Sequence, residues 1–144
     1  MQDSNTVDTY LKFNEDMFLK EDLNDLKNRF INCSDSQWNT IRFLNLKNPN
    51  TLILISVFAG IWGVDRFMIN KKSSGTLKLV VCQLSIIAGI ACIFLLLSED
   101  YVGWGIFCLL LFITGELWWL IDICLIRKLT KEYNYNFISR ILNF

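Results

Sequence analysis

Between Leu79 and Ile126 the chain holds only four charged residues, Glu99, Asp100, Glu116 and Asp122. An apolar stretch this long has room for two helical passes of about 20 residues each through a hydrocarbon layer. Hydrophobic residues make up 53% of the 144-residue chain, above the usual share for a soluble domain, and the excess is uneven. Residues 1–50 hold eight of the fourteen acids and six of the fourteen bases, so a polar N-terminal third is joined to a membrane-like remainder. The formal net charge is zero, and without a basic excess nothing points to nucleic acid. The chain has no His, which removes the commonest general base and metal ligand. Cys33, Cys82, Cys92, Cys108 and Cys124 have no CxxC spacing, and four of them lie in apolar segments, so they read as small hydrophobes. Neither a catalytic residue, a metal ligand nor a cofactor is expected.

Residues 1–50 are too polar for a cleavable signal, so the first apolar span is expected to act as its own insertion signal. Helices are predicted over 6–13 and 17–32, the second with Leu19, Leu23, Leu26 and Phe30 on one face. A third is predicted over 36–46, after the capping cluster Ser34-Asp35-Ser36. Helices this short are marginal alone, so the region reads as a cap over the membrane segment, with a docking surface for a protein partner as the alternative. Asn48-Pro49-Asn50 marks the boundary.

Three spans are predicted, over about 51–69, 76–97 and 101–126. The first reaches membrane length only by carrying Asp65 and Arg66. A basic turn at 69–75 and an acidic turn at Ser98-Glu99-Asp100 separate the spans. Ser85, Ala88, Gly89 and Cys92 form two overlapping small-xxx-small pairs of the kind that lets membrane helices approach closely, and Gly60 and Gly63 are further helix-packing candidates in the first span. Trp104, Trp118 and Trp119 read as interfacial anchors or, for the latter two, as inward packing. Arg127, Lys128 and Lys131 end the third span, and the aromatic tail at 129–144 is expected on the membrane surface. The positive-inside rule then places the basic turn and the tail in the cytoplasm and the N-terminus outside.

With three spans, Asp65, Arg66, Lys78 and Asp122 converge on one membrane face, with Arg66–Asp122 and Lys78–Asp65 as the expected pairs. Glu116 lies six residues, or about 9 Å of helix, deeper than Asp122. With Gln83 it is the candidate buried polar or pore-lining group. The four charges read as an electrostatic clasp, or as the lining of an ion or proton path.

The series Gly60-Ile61-Trp62-Gly63-Val64-Asp65-Arg66-Phe67, then Gly75-Thr76-Leu77-Lys78-Leu79, then Trp118-Trp119-Leu120-Ile121-Asp122 resembles the two-transmembrane (TM-two) domain family. Its pattern is a glycine-containing helix ending in Asp-Arg-Phe, a Gly-containing turn, a G-x-x-K-L segment and a closing W-x-x-D span. The leader VDTYLKFN, the segment DSQWNTI and Lys47-Asn48-Pro49 are similar to those of bacterial members. The chain departs from the family at Met68-Ile69-Asn70-Lys71, and in a longer apolar stretch before Trp118 that is enough to add a span. The resemblance implies no biochemical activity.

The expected architecture is therefore an all-α polytopic membrane protein with three transmembrane helices. It comprises a polar helical region (1–48), a transmembrane domain (49–128) and a tail (129–144). The expected function is a non-enzymatic interaction or scaffold protein of the bacterial inner membrane, in contact with lipid bilayer and self-associating as a homo-oligomer. An oligomeric pore subunit is the alternative.

Overall fold

The computed structural model describes residues 2–97 and 101–143; the expected acidic turn at 98–100 lies outside them. Among the described residues there are seven α-helices and no strand. The chain divides into two compact units, one made of Met1–Leu52 with Arg127–Phe144 and the other of Ile53–Ile126.

In the first unit, helices α1 (Ser4–Phe13), α2 (Leu23–Asn32) and α3 (Asp35–Arg42) pack on the last turns of the final helix, α7 (Val102–Leu142). Val7, Leu11, Phe18, Leu26, Phe30, Cys33, Trp38 and Ile41 form the core together with Ile138 from α7. Tyr10, Phe30 and Trp38 meet edge to face with ring centroids 5.5 to 5.9 Å apart, the arrangement their quadrupoles favour. Burial pushes the Cys33 thiol up from its ordinary pKa.

Polar side chains fix how the cap lies along α7. Ser34 and Gln37 form a reciprocal capping box at the start of α3. The Gln37 Nε2 also donates to the carbonyls of Ile141 (3.2 Å) and Leu142 (3.3 Å), satisfying groups that a helix end leaves open. About two turns earlier, the fully buried Asn134 donates to the carbonyls of Met17 (3.0 Å) and Lys47 (2.8 Å) and accepts from the Lys47 N–H (3.0 Å). Lys131 Nζ donates to the Phe18 carbonyl at 2.9 Å. The loops before α2 and after α3 are thus tied to the Lys131–Asn134 turn, and the start of α3 to the end of α7.

Several expectations change here. The second predicted helix begins at Leu23, because 15–17 and 20–22 are 3₁₀ turns, and the core residue of that loop is Phe18. The third ends at Arg42. The third apolar span does not stop at Arg127: α7 runs on to Leu142, and its tail is part of the cap core instead of lying on a membrane surface. The N-terminal region and the tail, expected on opposite sides of a membrane, share one core, in which Ile138 of the tail is fully buried against Val7, Phe30 and their neighbours.

The second unit centres on α6 (Lys72–Leu96) and the first part of α7. A Cβ added at Gly115 would strike Ser85, one at Gly89 would meet the Phe112 ring at 2.7 Å, and one at Gly105 would meet Leu96 at 2.7 Å. These three contacts define a close antiparallel hairpin in which small residues let the helices approach. The buried stripe of α6 is Gly75, Lys78, Cys82, Ser85, Ala88 and Cys92. The remaining faces are apolar and exposed: in the most apolar windows of α6 and α7 only 22% and 17% of residues are buried. A core helix of a soluble protein hides such faces, so these two are built for a hydrocarbon surround. They are the two described helices long and apolar enough to cross a membrane.

The first apolar segment is not one helix from 51 to 69. Helix α4 (Pro49–Ala59) gives way to a 3₁₀ turn at Gly60–Trp62, and the chain reverses at Gly63 before α5 (Val64–Met68). Gly63 has φ 68°, a left-handed conformation that costs an L-residue about 1–2 kcal/mol. The apolar run Pro49–Trp62 is accordingly shorter than the two candidate spans.

Candidate functional site

The break at Gly63 is what carries Asp65 back toward α4. There its Oδ2 accepts from Ser56 Oγ at 2.7 Å and from Lys78 Nζ at 2.6 Å. The same ammonium lies 2.5 Å from Asp122 Oδ2, on α7. Arg66, one residue after Asp65, reaches Asp122 with two groups: Nε donates to Oδ2 at 3.2 Å and a terminal nitrogen pairs with Oδ1. Trp119 Nε1 donates to the Ser56 carbonyl at 3.1 Å, one turn from Asp122.

The chain order is thus Ser56–Asp65–Lys78–Asp122–Arg66, with carboxylates and cations alternating and no net charge. Asp65 is 0% exposed, and Lys78 and Asp122 are 2% exposed. Charges so deeply buried persist only when paired, and here Lys78 serves two carboxylates while Arg66 supplies the second cation. The Arg66–Asp122 end borders an open groove of about 400 Å³ with Thr114, Trp118, Ile121 and Leu125, so this end reaches the molecular surface. The other oxygen of Asp65, Oδ1, is buried without a hydrogen-bond partner among the described residues.

The glycines explain the local spacing. A Cβ on Gly60 would lie 3.2 Å from Ser56 Oγ and Trp119 Nε1 and 3.3 Å from Lys78 Nζ, so the bare backbone leaves these polar groups room to meet. A Cβ on Gly75 would meet the Phe67 ring at 3.0 Å, and the ring covers that glycine instead. Asp65, Arg66, Phe67, Lys78, Asp122, Gly60 and Gly63 are therefore brought to one place. Ser85 and Gly89 lie further along α6 against Gly115 and Phe112. Gln83 and Glu116 are outside the cluster; both are half-buried, and neither makes a hydrogen bond or ion pair among the described residues.

Ser56 was missed in the sequence, although it is the one polar residue between Leu52 and Gly60. Trp119 turns inward to Ser56, while Trp118 stays 45% exposed, which separates two neighbours the sequence left equivalent. No three His, Cys, Asp or Glu side chains gather to hold a metal ion among the described residues.

Residues 45–97 match the family model of the TM2 domain. The match takes in α4, the glycine break, Asp65, Arg66, Phe67 and Lys78; Asp122, their partner on α7, lies beyond it. No curated protein and no solved structure matches the chain. With this match to the TM2 domain model and two outward-facing apolar helices, the chain is a membrane protein.

Proposed function

We propose that this TM2-domain chain is a multi-pass, non-enzymatic interaction or scaffold protein of the bacterial inner membrane that associates with copies of itself. The observation that supports this reading is the Asp65–Lys78–Asp122–Arg66 cluster, in which carboxylates and cations pair with one another and so serve to hold the fold. The cluster then fastens the α4–α5 reversal to the hairpin.

Two crossings, by α6 and by α7 as far as Ile126, fit better than three. The chain leaves the N-terminal unit at Leu52 and returns to it at Arg127, which supports an even number of crossings for the part between. Helix α4 is then a re-entrant segment, and backbone irregular at Gly60–Gly63 is tolerable at membrane depth because the protein buries it. Arg42, Lys47, Lys71, Lys72, Arg127, Lys128 and Lys131 then fall on the same side, which makes that side cytoplasmic, N-terminal cap included.

Self-association is supported by Glu116, which sits within the apolar part of α7, half-buried and without an ion pair or hydrogen bond among the described residues. An ionisable group at such depth is stabilised by a facing partner, and Gln83 or Glu116 of a second copy would serve. The same observation favours the second reading, an oligomeric pore lined by Glu116 and Gln83.

Two measurements on reconstituted protein separate the readings. A detergent-free mass of a single chain would overturn self-association. Ion flux above that of empty vesicles, abolished in Glu116→Gln, would replace the scaffold by the pore.

A further inference from the structure

Phe13 and Phe43 are the most exposed of the large apolar side chains described, at 90% and 88%. Their unit buries Phe18, Phe30 and Trp38, so its composition does not force these two outward. Both stand at helix ends, Phe13 closing α1 and Phe43 following α3. The Tyr10 hydroxyl donates to the Ile41 carbonyl at 3.3 Å and ties those ends together, and Phe13 and Arg42 line one groove of about 450 Å³.

The same ends lie at one level of α7. Met17 and Phe18, just after Phe13, and Lys47, just after Phe43, are held by Asn134 and Lys131, whereas the start of α3 is held at Ile141 and Leu142. Lys131 is five residues, or about 8 Å of helix, from Ile126, where the apolar run of α7 gives out into Arg127 and Lys128. The two rings therefore stand toward the end of the cap held by Lys131 and Asn134, and Arg127 and Lys128, where the apolar run of α7 gives out, come only four and three residues before Lys131.

We infer that the rim bearing Phe13 and Phe43 is seated in the headgroup layer of the bilayer that α7 crosses. Aromatic rings favour that layer, and Lys12 and Arg42, each preceding one of the rings, can keep their charges among lipid phosphates. Glu15 and Asp16 follow Phe13, so the rim has no strong net charge and the rings supply the affinity. The inference rests on the membrane reading above.

The full chain is placed in nanodiscs of phosphatidylcholine and phosphatidylglycerol with Cys108 and Cys124 changed to Ala. Cys33, Cys82 and Cys92 remain, since buried thiols react slowly. A fluorophore is attached to a single cysteine introduced at Phe13, Phe43, Ser36 or Ile87. Labels at 13 and 43 are expected to be quenched several-fold more by nitroxide lipids than the label at Ser36, and several-fold less by iodide. Iodide quenching at 13 and 43 equal to that at Ser36 overturns the inference, and so does shielding from both quenchers, which would mean that protein covers the rim. The label at exposed Ile87 on α6 tests the membrane reading alone: without lipid quenching there, that reading fails first. In the unlabelled chain, Phe13→Ser with Phe43→Ser is expected to leave the melting temperature in detergent unchanged and to speed trypsin cleavage at Lys12 and Arg42 in nanodiscs; unchanged cleavage counts against the inference.

Discussion

Gly63 lies directly against the carbonyl of Gly75, and a Cβ at position 63 would collide with that oxygen. The contact joins the point where the first apolar segment reverses to the first turns of α6. Two penalties coincide at Gly63, a left-handed φ and this collision. Gly63→Ala is therefore expected to cost at least the roughly 1–2 kcal/mol of the backbone strain and to loosen the seating of Asp65. Reversible unfolding in mixed detergent micelles reads the loss, and an unchanged midpoint would mean that the reversal is not as tightly built as described.

Lys78 is the shared cation of the cluster, so removing it should hurt more than removing either carboxylate. Lys78→Met leaves Asp65 and Asp122 buried with only Arg66 to balance them, an imbalance worth about 3–5 kcal/mol. Adding Asp65→Asn to that variant is expected to recover part of the loss, because one uncompensated carboxylate disappears. A double variant no more stable than Lys78→Met would show that the two groups are not energetically coupled.

In the cap, Asn134 satisfies two backbone carbonyls and one N–H of separate loops. Asn134→Ala strands those groups, each worth about 1–3 kcal/mol when buried without a partner. The expected result is faster amide exchange and proteolysis around 15–20 and 44–48, with the helix content of α6 retained. Uniform protection across the chain would contradict the assignment of Asn134 as the tie.

Much of the cluster was legible in the sequence, and the reasons are physical. Charges in apolar surroundings are few, so Asp65, Arg66, Lys78 and Asp122 nominate one another. Ser34 was visible as a capping residue because its function is local. The break at Gly60–Gly63 was not legible: apolar residues flank it on both sides, periodicity shows no phase change, and the Gly75 carbonyl that demands a bare glycine is a tertiary contact. Nor was the place of Ile138, whose partners lie more than ninety residues earlier in the chain, where no local pattern can point to them.

The two-crossing reading proposed above also sets a sidedness that can be tested. Cysteines introduced singly at Ser4 and Ser73 should resist a membrane-impermeant maleimide in intact cells and react after permeabilisation, while one at Tyr101, past the end of α6, should react without it. Labelling of Ser4 in intact cells would restore an odd number of crossings and place the cap outside.

The cap closes on Lys131, Asn134 and Ile138, yet these residues are synthesised well over a hundred positions after Val7 and Leu11. During translation the N-terminal helices emerge first, and Ile138 can complete their core only once the last turns of α7 leave the ribosome. On the two-crossing topology proposed above, completion of the cap follows membrane insertion, and a chain truncated near Arg127 lacks Ile138 and the Lys131 and Asn134 contacts that close the cap.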